Sequence, residues 1–444
     1  MSMKRIASWF LILAMLCGIV PGAMAETPES PAISFGEAKY LQDGFLYEPG
    51  DRSLVYYYDY ASGQRIPLCT RPNCNHEPVE GPDLNDYHYS VAEFMNGNPS
   101  LCYAARFAFA SNLYGYVLYN RKLYFFPAFY NDPKPGTNTL ALYVSEVDGE
   151  TKLLTDLGYL FPGNVYPEAH EVIAYDGYLY IMIQTYQNPD WKGTEPVDML
   201  PGTIQLVKCS METGEASVME TFYAENCQLF FFGLYNGVLY YEISTANGME
   251  PTEDVWEYLK DTRKRTLYSV EGIDVATGEK VIPDPRLCDR NLHYGERFDI
   301  VRDGVLYSFV LPQSAEDNTA LFLGYDLNER KNVLEYSFQY DDKEPFFPYW
   351  VLTDEIMLSY DFGTGRFARH NLKTGEIEPL SIPGASIEGN EGQTDWYDLY
   401  IQYFQTNPLV IDHCYADGTT DKAYITVEEL LNEADPQMHD FIGG

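Results

Sequence analysis

The chain has 444 residues, and its 66 acidic against 29 basic side chains give a formal net charge of −37. So acidic a surface repels nucleic-acid phosphates and anionic membranes, which excludes both as partners and suits a neutral or cationic one. With 39 Tyr and 24 Phe but only 5 Trp, the composition fits the half-buried, pleated surfaces of an all-β protein.

The first 25 residues read as a cleaved secretory signal. Lys4 and Arg5 precede an apolar run from Ile6 to Val20 and the small-residue site Ala23-Met24-Ala25. The run is short of the roughly 20 apolar residues of a membrane span, and nothing later in the chain is longer. No membrane span is expected, and the mature protein is expected outside the cell, secreted or held at the envelope. Cys17 follows Leu16, where a lipid-modified cysteine would follow Gly, Ala or Ser. Residues 26–35 read as a linker.

From there one phrase recurs: a short apolar strand, a turn of the Asp-Gly type, then aliphatic-Tyr opening a second strand. The copies are Asp43-Gly44-Phe45-Leu46-Tyr47, Asn120-Arg121-Lys122-Leu123-Tyr124, Asp176-Gly177-Tyr178-Leu179-Tyr180, Asn236-Gly237-Val238-Leu239-Tyr240 and Asp303-Gly304-Val305-Leu306-Tyr307. Degraded copies stand at Asp354-Glu355-Ile356-Met357-Leu358 and Tyr397-Asp398-Leu399-Tyr400. Such turns mark hairpins, because a type I′ turn needs positive φ at both central residues.

A second phrase follows each copy, clearest as Ser210-Met211-Glu212-Thr213-Gly214-Glu215, Asp274-Val275-Ala276-Thr277-Gly278-Glu279 and Asn371-Leu372-Lys373-Thr374-Gly375-Glu376. Two hairpins make four strands per unit. Repeated end to end, they predict a single β-propeller over residues 36–424 with about seven four-stranded blades. A pair of β-sandwiches would not repeat one phrase along the whole chain. The tyrosines fit strand positions, and they also fit stacking on sugars.

Between units 1 and 2 lies Cys69-Thr70-Arg71-Pro72-Asn73-Cys74-Asn75-His76, with Cys102 further on. Cys69, Cys74, His76 and Cys102 offer three thiolates and an imidazole, a full tetrahedral set for structural Zn²⁺ that leaves no open position for catalysis. A Cys69–Cys74 disulfide with Cys102 elsewhere is the competing arrangement in an exported protein. The other mature cysteines, Cys209, Cys227, Cys288 and Cys414, read as small apolar residues in or beside strands.

With this tract, the Asp-Gly-aliphatic-Tyr and Thr-Gly-Glu phrases resemble a group of exported, tyrosine-rich bacterial proteins. Their propeller is similar to that of low-density-lipoprotein receptors. In that group a third cysteine follows closely, whereas Cys102 lies 26 residues after His76. The resemblance implies fold and export, and no reaction.

In a four-stranded blade, the loops joining strands 2 and 3 and those leading to the next blade share one face. The tight turns here occupy the other face, so the long insertions are expected together. Two of them, Tyr186 to Pro201 and Thr245 to Arg265, carry Asp190 and Trp191, and Glu253, Asp254, Trp256 and Tyr258. Tryptophan beside carboxylates suits a glycan or a cationic peptide, and the same rings suit packing on the rim.

Catalytic motifs fail on context. His170-Glu171-Val172-Ile173-Ala174 lacks the second His of a zinc-protease helix and runs into a strand, and Pro78 disrupts any helix after His76-Glu77. Gly363-Thr364-Gly365 precedes a strand where a dinucleotide loop precedes a helix. The tail, residues 425–444, opens a short helix with a capping box from Thr426 to Glu429. The reading from sequence is a secreted, non-enzymatic recognition propeller for a glycan, peptide or surface protein. A carbohydrate-active hydrolase or lyase at the funnel, and a purely structural surface protein, are the alternatives.

Overall fold

In the computed structural model the described residues are 33–35, 38–40, 44–47, 54–78, 91–97, 102–127, 140–146, 149–162, 165–187, 200–223, 227–246, 266–291, 298–310, 319–339, 347–361, 366–386, 395–399, 404–416 and 419–443. The recurrent phrases fold as their chemistry dictates. Asp176 and Gly177 take φ of 46° and 75°, and Asn236 and Gly237 take 44° and 75°. Asn120 and Arg121 hold the same geometry at 48° and 60° without a glycine, at a modest cost in backbone strain.

The second phrase is a side-chain-capped turn. Asp274 Oδ1 accepts from the N–H groups of Ala276 and Thr277, Gly278 takes φ of 76°, and Thr277 Oγ1 accepts from the N–H of Glu279. Ser210 and Asn371 cap their own turns in the same way. Short polar side chains that bond backbone two and three residues ahead favour turns over regular structure.

These hairpins build seven antiparallel blades in a ring, a seven-bladed β-propeller. Blade 2 is Ser111–Tyr119, Lys122–Pro127, Ala141–Glu146 and Thr151–Asp156 from axis to rim. Blade 3 is Val165–Tyr175, Tyr178–Gln187, Leu200–Ser210 and Ala216–Tyr223. Blade 4 runs from Cys227–Tyr235 to Lys280–Val281, blade 5 from Asp299–Arg302 to Lys331–Gln339, and blade 6 from Phe347–Val351 to Ile377–Leu380. The seventh sheet departs from the pattern: Ala385–Ser386 pairs parallel with Trp396–Asp398, which pairs antiparallel with Leu409–Cys414. The degraded copy at Tyr397 has no two-residue Asn/Asp-Gly turn, and no tight hairpin forms there.

The phrase tyrosines are struts between blades. Tyr47, Tyr124, Tyr180, Tyr240 and Tyr307 are all buried. Tyr240 Oη donates to the carbonyl of Leu327 over 3.4 Å, and Tyr307 Oη donates to Asp354 Oδ1 over 2.6 Å, each reaching the next blade. At these positions the strand role of tyrosine prevails and no ring is offered to a sugar.

Two short segments lie inside the ring. Ile33–Phe35, in the stretch expected as a linker, adds an extra innermost strand to blade 1 and lies against the inner strands of blades 2, 3 and 4. Phe404–Gln405 pairs parallel with the inner strand of blade 5, and Gln405 bonds the N–H of Val351 and the carbonyl of Tyr349 on blade 6. Inner-edge backbone groups are thereby satisfied by the chain itself.

The tail closes the ring at the rim. Thr426 and Glu429 form the expected capping box for the helix Val427–Asn432, and buried Arg369 donates to the carbonyls of Leu430 and Glu433 at its far end. His439–Asp440 then forms the outermost strand of blade 7 by pairing with Thr420–Ile425, and Ile442–Gly443 pairs with the outer strand of blade 1.

Candidate metal centre

The connection from blade 1 to blade 2 leaves the outer strand Gln64–Pro67 and enters the inner strand Ser111–Tyr119. Topology puts it at the same end of the ring as the strand ends Gln187 and Leu200 of blade 3 and Ala246 and Thr266 of blade 4. The described part holds two helices, α1 (Val91–Gly97) and α2 (Tyr103–Ala110). The amide of Asn96 makes two bonds to the backbone of Thr151 on the rim of blade 2. Phe107 packs edge-on against Tyr116 and Phe125, so α2 is anchored by aromatic burial.

At the start of α2 the four candidate ligands converge. Ligand atoms of Cys69, Cys74, His76 and Cys102 all lie within 4.8 Å of one another, and Cys102 Sγ is 3.6 Å from His76 Nδ1. Tetrahedral zinc with Zn–S of ~2.3 Å and Zn–N of ~2.0 Å puts sulfur and nitrogen about 3.5 Å apart, so the residues fit such an ion. Positive φ at Asn73 (59°) and His76 (52°) turns the tract back on itself, and the Cys74 N–H donates to the carbonyl of Arg71. Cys74 and Cys102 carry free thiols, as do Cys209, Cys288 and Cys414.

Cys102 is buried in the core cluster of blade 1 and α2, while Cys69, Cys74 and His76 are half-buried. Desolvation, with the nearby Cys69 and Cys74 sulfurs, pushes the Cys102 thiol up to about 12, although a backbone bond from Ala105 opposes it. Slight desolvation also acts on Cys74, but the His76 N–H, bonds with Cys102 and Cys69, and the Arg71 charge outweigh it and lower that thiol. A bound cation would favour the thiolate at every position.

The other expected site residues, Asp190, Trp191, Glu253, Asp254, Trp256 and Tyr258, lie outside the described residues. Of the remaining cysteines, Cys209 is buried in a strand, as expected. Among the described residues no helix is long and apolar enough to cross a membrane.

Three polar clusters escape sequence reading. Arg290 and Asp299, almost wholly buried, form a two-pronged ion pair at 3.0 and 2.5 Å between blades 4 and 5, with Ser308 donating to Asp299. Asp398, Asp412 and Lys422 are neighbours on three adjacent strands of blade 7, Lys422 bonding Asp412 at 2.5 Å beneath the Tyr47 ring. His170 Nε2 stands 3.9 Å from Glu168 on the inner strand of blade 3, where a bulge falls between Ala169 and Glu171. In the first two, blade packing or strand register makes the neighbours, which sequence spacing does not encode, whereas Glu168 and His170 lie two apart on one strand.

No family model matches the chain, and no curated protein matches it. Among solved structures it is similar to an oligogalacturonate lyase in complex with manganese, at 11% identity over 93% of this chain and 90% of that one, with a TM-score of 0.37. An oligogalacturonate lyase from Vibrio parahaemolyticus shares 14% identity over 71% of this chain and 76% of that one, at a TM-score of 0.32. A prolyl endopeptidase shares 9% identity over 99% of this chain and 54% of that one, at 0.41. At such identities and TM-scores these likenesses carry no argument about chemistry.

Proposed function

We propose that the protein is an exported recognition propeller. It takes a glycan, peptide or surface protein at the end where its long connections gather, and zinc at Cys69, Cys74, His76 and Cys102 holds one of those connections in place. The observation that supports this most is the engagement of the inner strands by two short segments of the same chain. With Ile33–Phe35 against blades 2, 3 and 4 and Phe404–Gln405 between blades 5 and 6, the inner strands are engaged by the chain's own backbone. The connections at one end are then the natural surface for a partner. Asp190 and Trp191, with Glu253, Asp254, Trp256 and Tyr258, are the side chains proposed to contact it. The leader over residues 1–25 puts this role outside the cell or at its envelope.

A glycan and peptide panel, read by tryptophan fluorescence and calorimetry, tests the reading. Saturable binding that weakens ~10-fold or more in Trp191→Ala and Trp256→Ala variants, about 1.4 kcal/mol, with no product formed, is the expected result. Turnover of a bound saccharide would overturn it.

That outcome would favour a second reading, a hydrolase or lyase, for which the His170–Glu168 pair is the supporting observation. Burial lowers the His170 pKa against the opposing pull of Glu168, leaving a neutral imidazole able to accept a proton. Loss of turnover in His170→Ala would support it.

A further inference from the structure

Three of the candidate ligands, Cys69, Cys74 and His76, ride on one short segment, and Cys102 alone comes from the far side of the insertion, at the start of α2. The consequences of metal and of disulfide therefore differ. Zinc ties the segment to α2, whereas a bond between Cys69 and Cys74 closes a small ring inside the segment and ties it to nothing. Access differs in the same sense, because Cys69 and Cys74 are half-buried and Cys102 is only 4% exposed within the core cluster. Thiol–disulfide exchange needs an approach path to sulfur. With all three sulfurs within 4.8 Å, rotation about χ1 and a small shift of the turn bring a pair to the ~2.05 Å of a disulfide.

We infer that Cys69 and Cys74 are a redox-sensitive pair whose oxidation by a small disulfide of the oxidised-glutathione class expels zinc and unclasps the blade 1–blade 2 connection. The inference rests on the zinc reading above and names its regulation. One cysteine thiolate attacks the oxidant, forming a mixed disulfide and expelling one oxidant thiolate. The second cysteine displaces the other oxidant thiolate and completes the Cys69–Cys74 bond. Two cysteine sulfurs lose two electrons and the oxidant disulfide gains them. Zn²⁺ leaves because Cys102 and His76 alone cannot complete a four-ligand site, and the Cys102 sulfur takes a proton from water. Because this connection stands at the same end as the proposed binding surface, its release would alter recognition without touching the blades.

The test uses the mature chain, reduced, loaded with zinc and then titrated with oxidised glutathione. Zinc release is followed with a chromophoric chelator, disulfides are mapped by differential alkylation and mass spectrometry, and the helices are followed by amide exchange. Expected are one zinc released per two thiols lost, a Cys69–Cys74 disulfide, and exchange over residues 91–110 faster by ~10-fold or more, all reversed by dithiothreitol with zinc. Cys102→Ser, which removes the zinc link between the Cys69–His76 segment and α2 while the Val55 N–H still donates to the Ala104 carbonyl, should show the fast exchange even when reduced. Zinc retained after oxidation, or a first disulfide that includes Cys102, would overturn the inference while leaving the zinc site standing. Absence of zinc from the reduced, loaded protein would instead bring down the reading beneath it.

Discussion

Tyr307 donates its hydroxyl to Asp354 Oδ1 over 2.6 Å, tying the second strand of blade 5 to the first turn of blade 6. The ring is buried and the carboxylate partner is charged, so the bond contributes more than a neutral one. Tyr307→Phe keeps the ring and removes the donor. It should cost about 1–2 kcal/mol in urea unfolding, and Tyr240→Phe, whose bond is a longer 3.4 Å to a carbonyl, should cost less.

The ion pair of Arg290 and Asp299 has no water to fall back on. Side chains of both are 2% exposed or less, so removing one partner strands a buried charge. Arg290→Met should destabilise by about 3–5 kcal/mol, seen as a lower urea midpoint at unchanged slope. A loss below about 1 kcal/mol would mean that the pair is solvated in solution.

The candidate metal centre makes stability depend on a free ion. If zinc stands about a thousandfold above its dissociation constant, binding stabilises the ring by about 4 kcal/mol. Dialysis against a strong chelator should lower Tm accordingly and re-addition of zinc should restore it. Neither step should move the Tm of Cys74→Ser.

Asp398 gives a pH dependence of defined sign. Burial first, then the neighbouring Asp412 charge, raise its pKa from an ordinary 3.8 to about 6, with Lys422 opposing. Between those values the folded protein holds a proton that the unfolded chain has released. The stabilisation is therefore complete below about pH 4 and lost as pH rises through about 6. Asp398→Asn, permanently uncharged, should gain about 1–3 kcal/mol over the native protein at pH 7.5 and little at pH 4. Unfolding titrations of both proteins across that range check it.

Much of the ring was legible because its turns are local. An Asp or Asn that caps its own turn, and a glycine or an Asn-Arg pair that accepts positive φ, write the hairpin into five or six residues. In the matching turn of blade 5, Asp326 accepts from the N–H groups of Asn328 and Glu329, and Arg330 takes the φ of 55° that other copies give to glycine. Three of the four candidate metal ligands were adjacent for the same reason, and Cys102 was the remaining cysteine of that insertion. The axial segments were not legible, because three residues at Ile33–Phe35 and two at Phe404–Gln405 are too short to show a period of two. Nor was the Asp398–Asp412–Lys422 row, since cross-strand register set by the fold, and not separation along the chain, makes those three neighbours.

The engagement of the inner strands by these two segments also bears on how the molecule is made. Phe404–Gln405 serves backbone on blades 5 and 6, and the strand at Ile442–Gly443 serves blade 1, so structures begun early are finished by residues synthesised much later. A nascent chain that has just completed its sixth blade still shows water the bare inner backbone of Tyr349 and Val351. Such a chain is an unfinished circle, and a stop codon placed before position 404 should yield material that chaperones and proteases treat as incomplete.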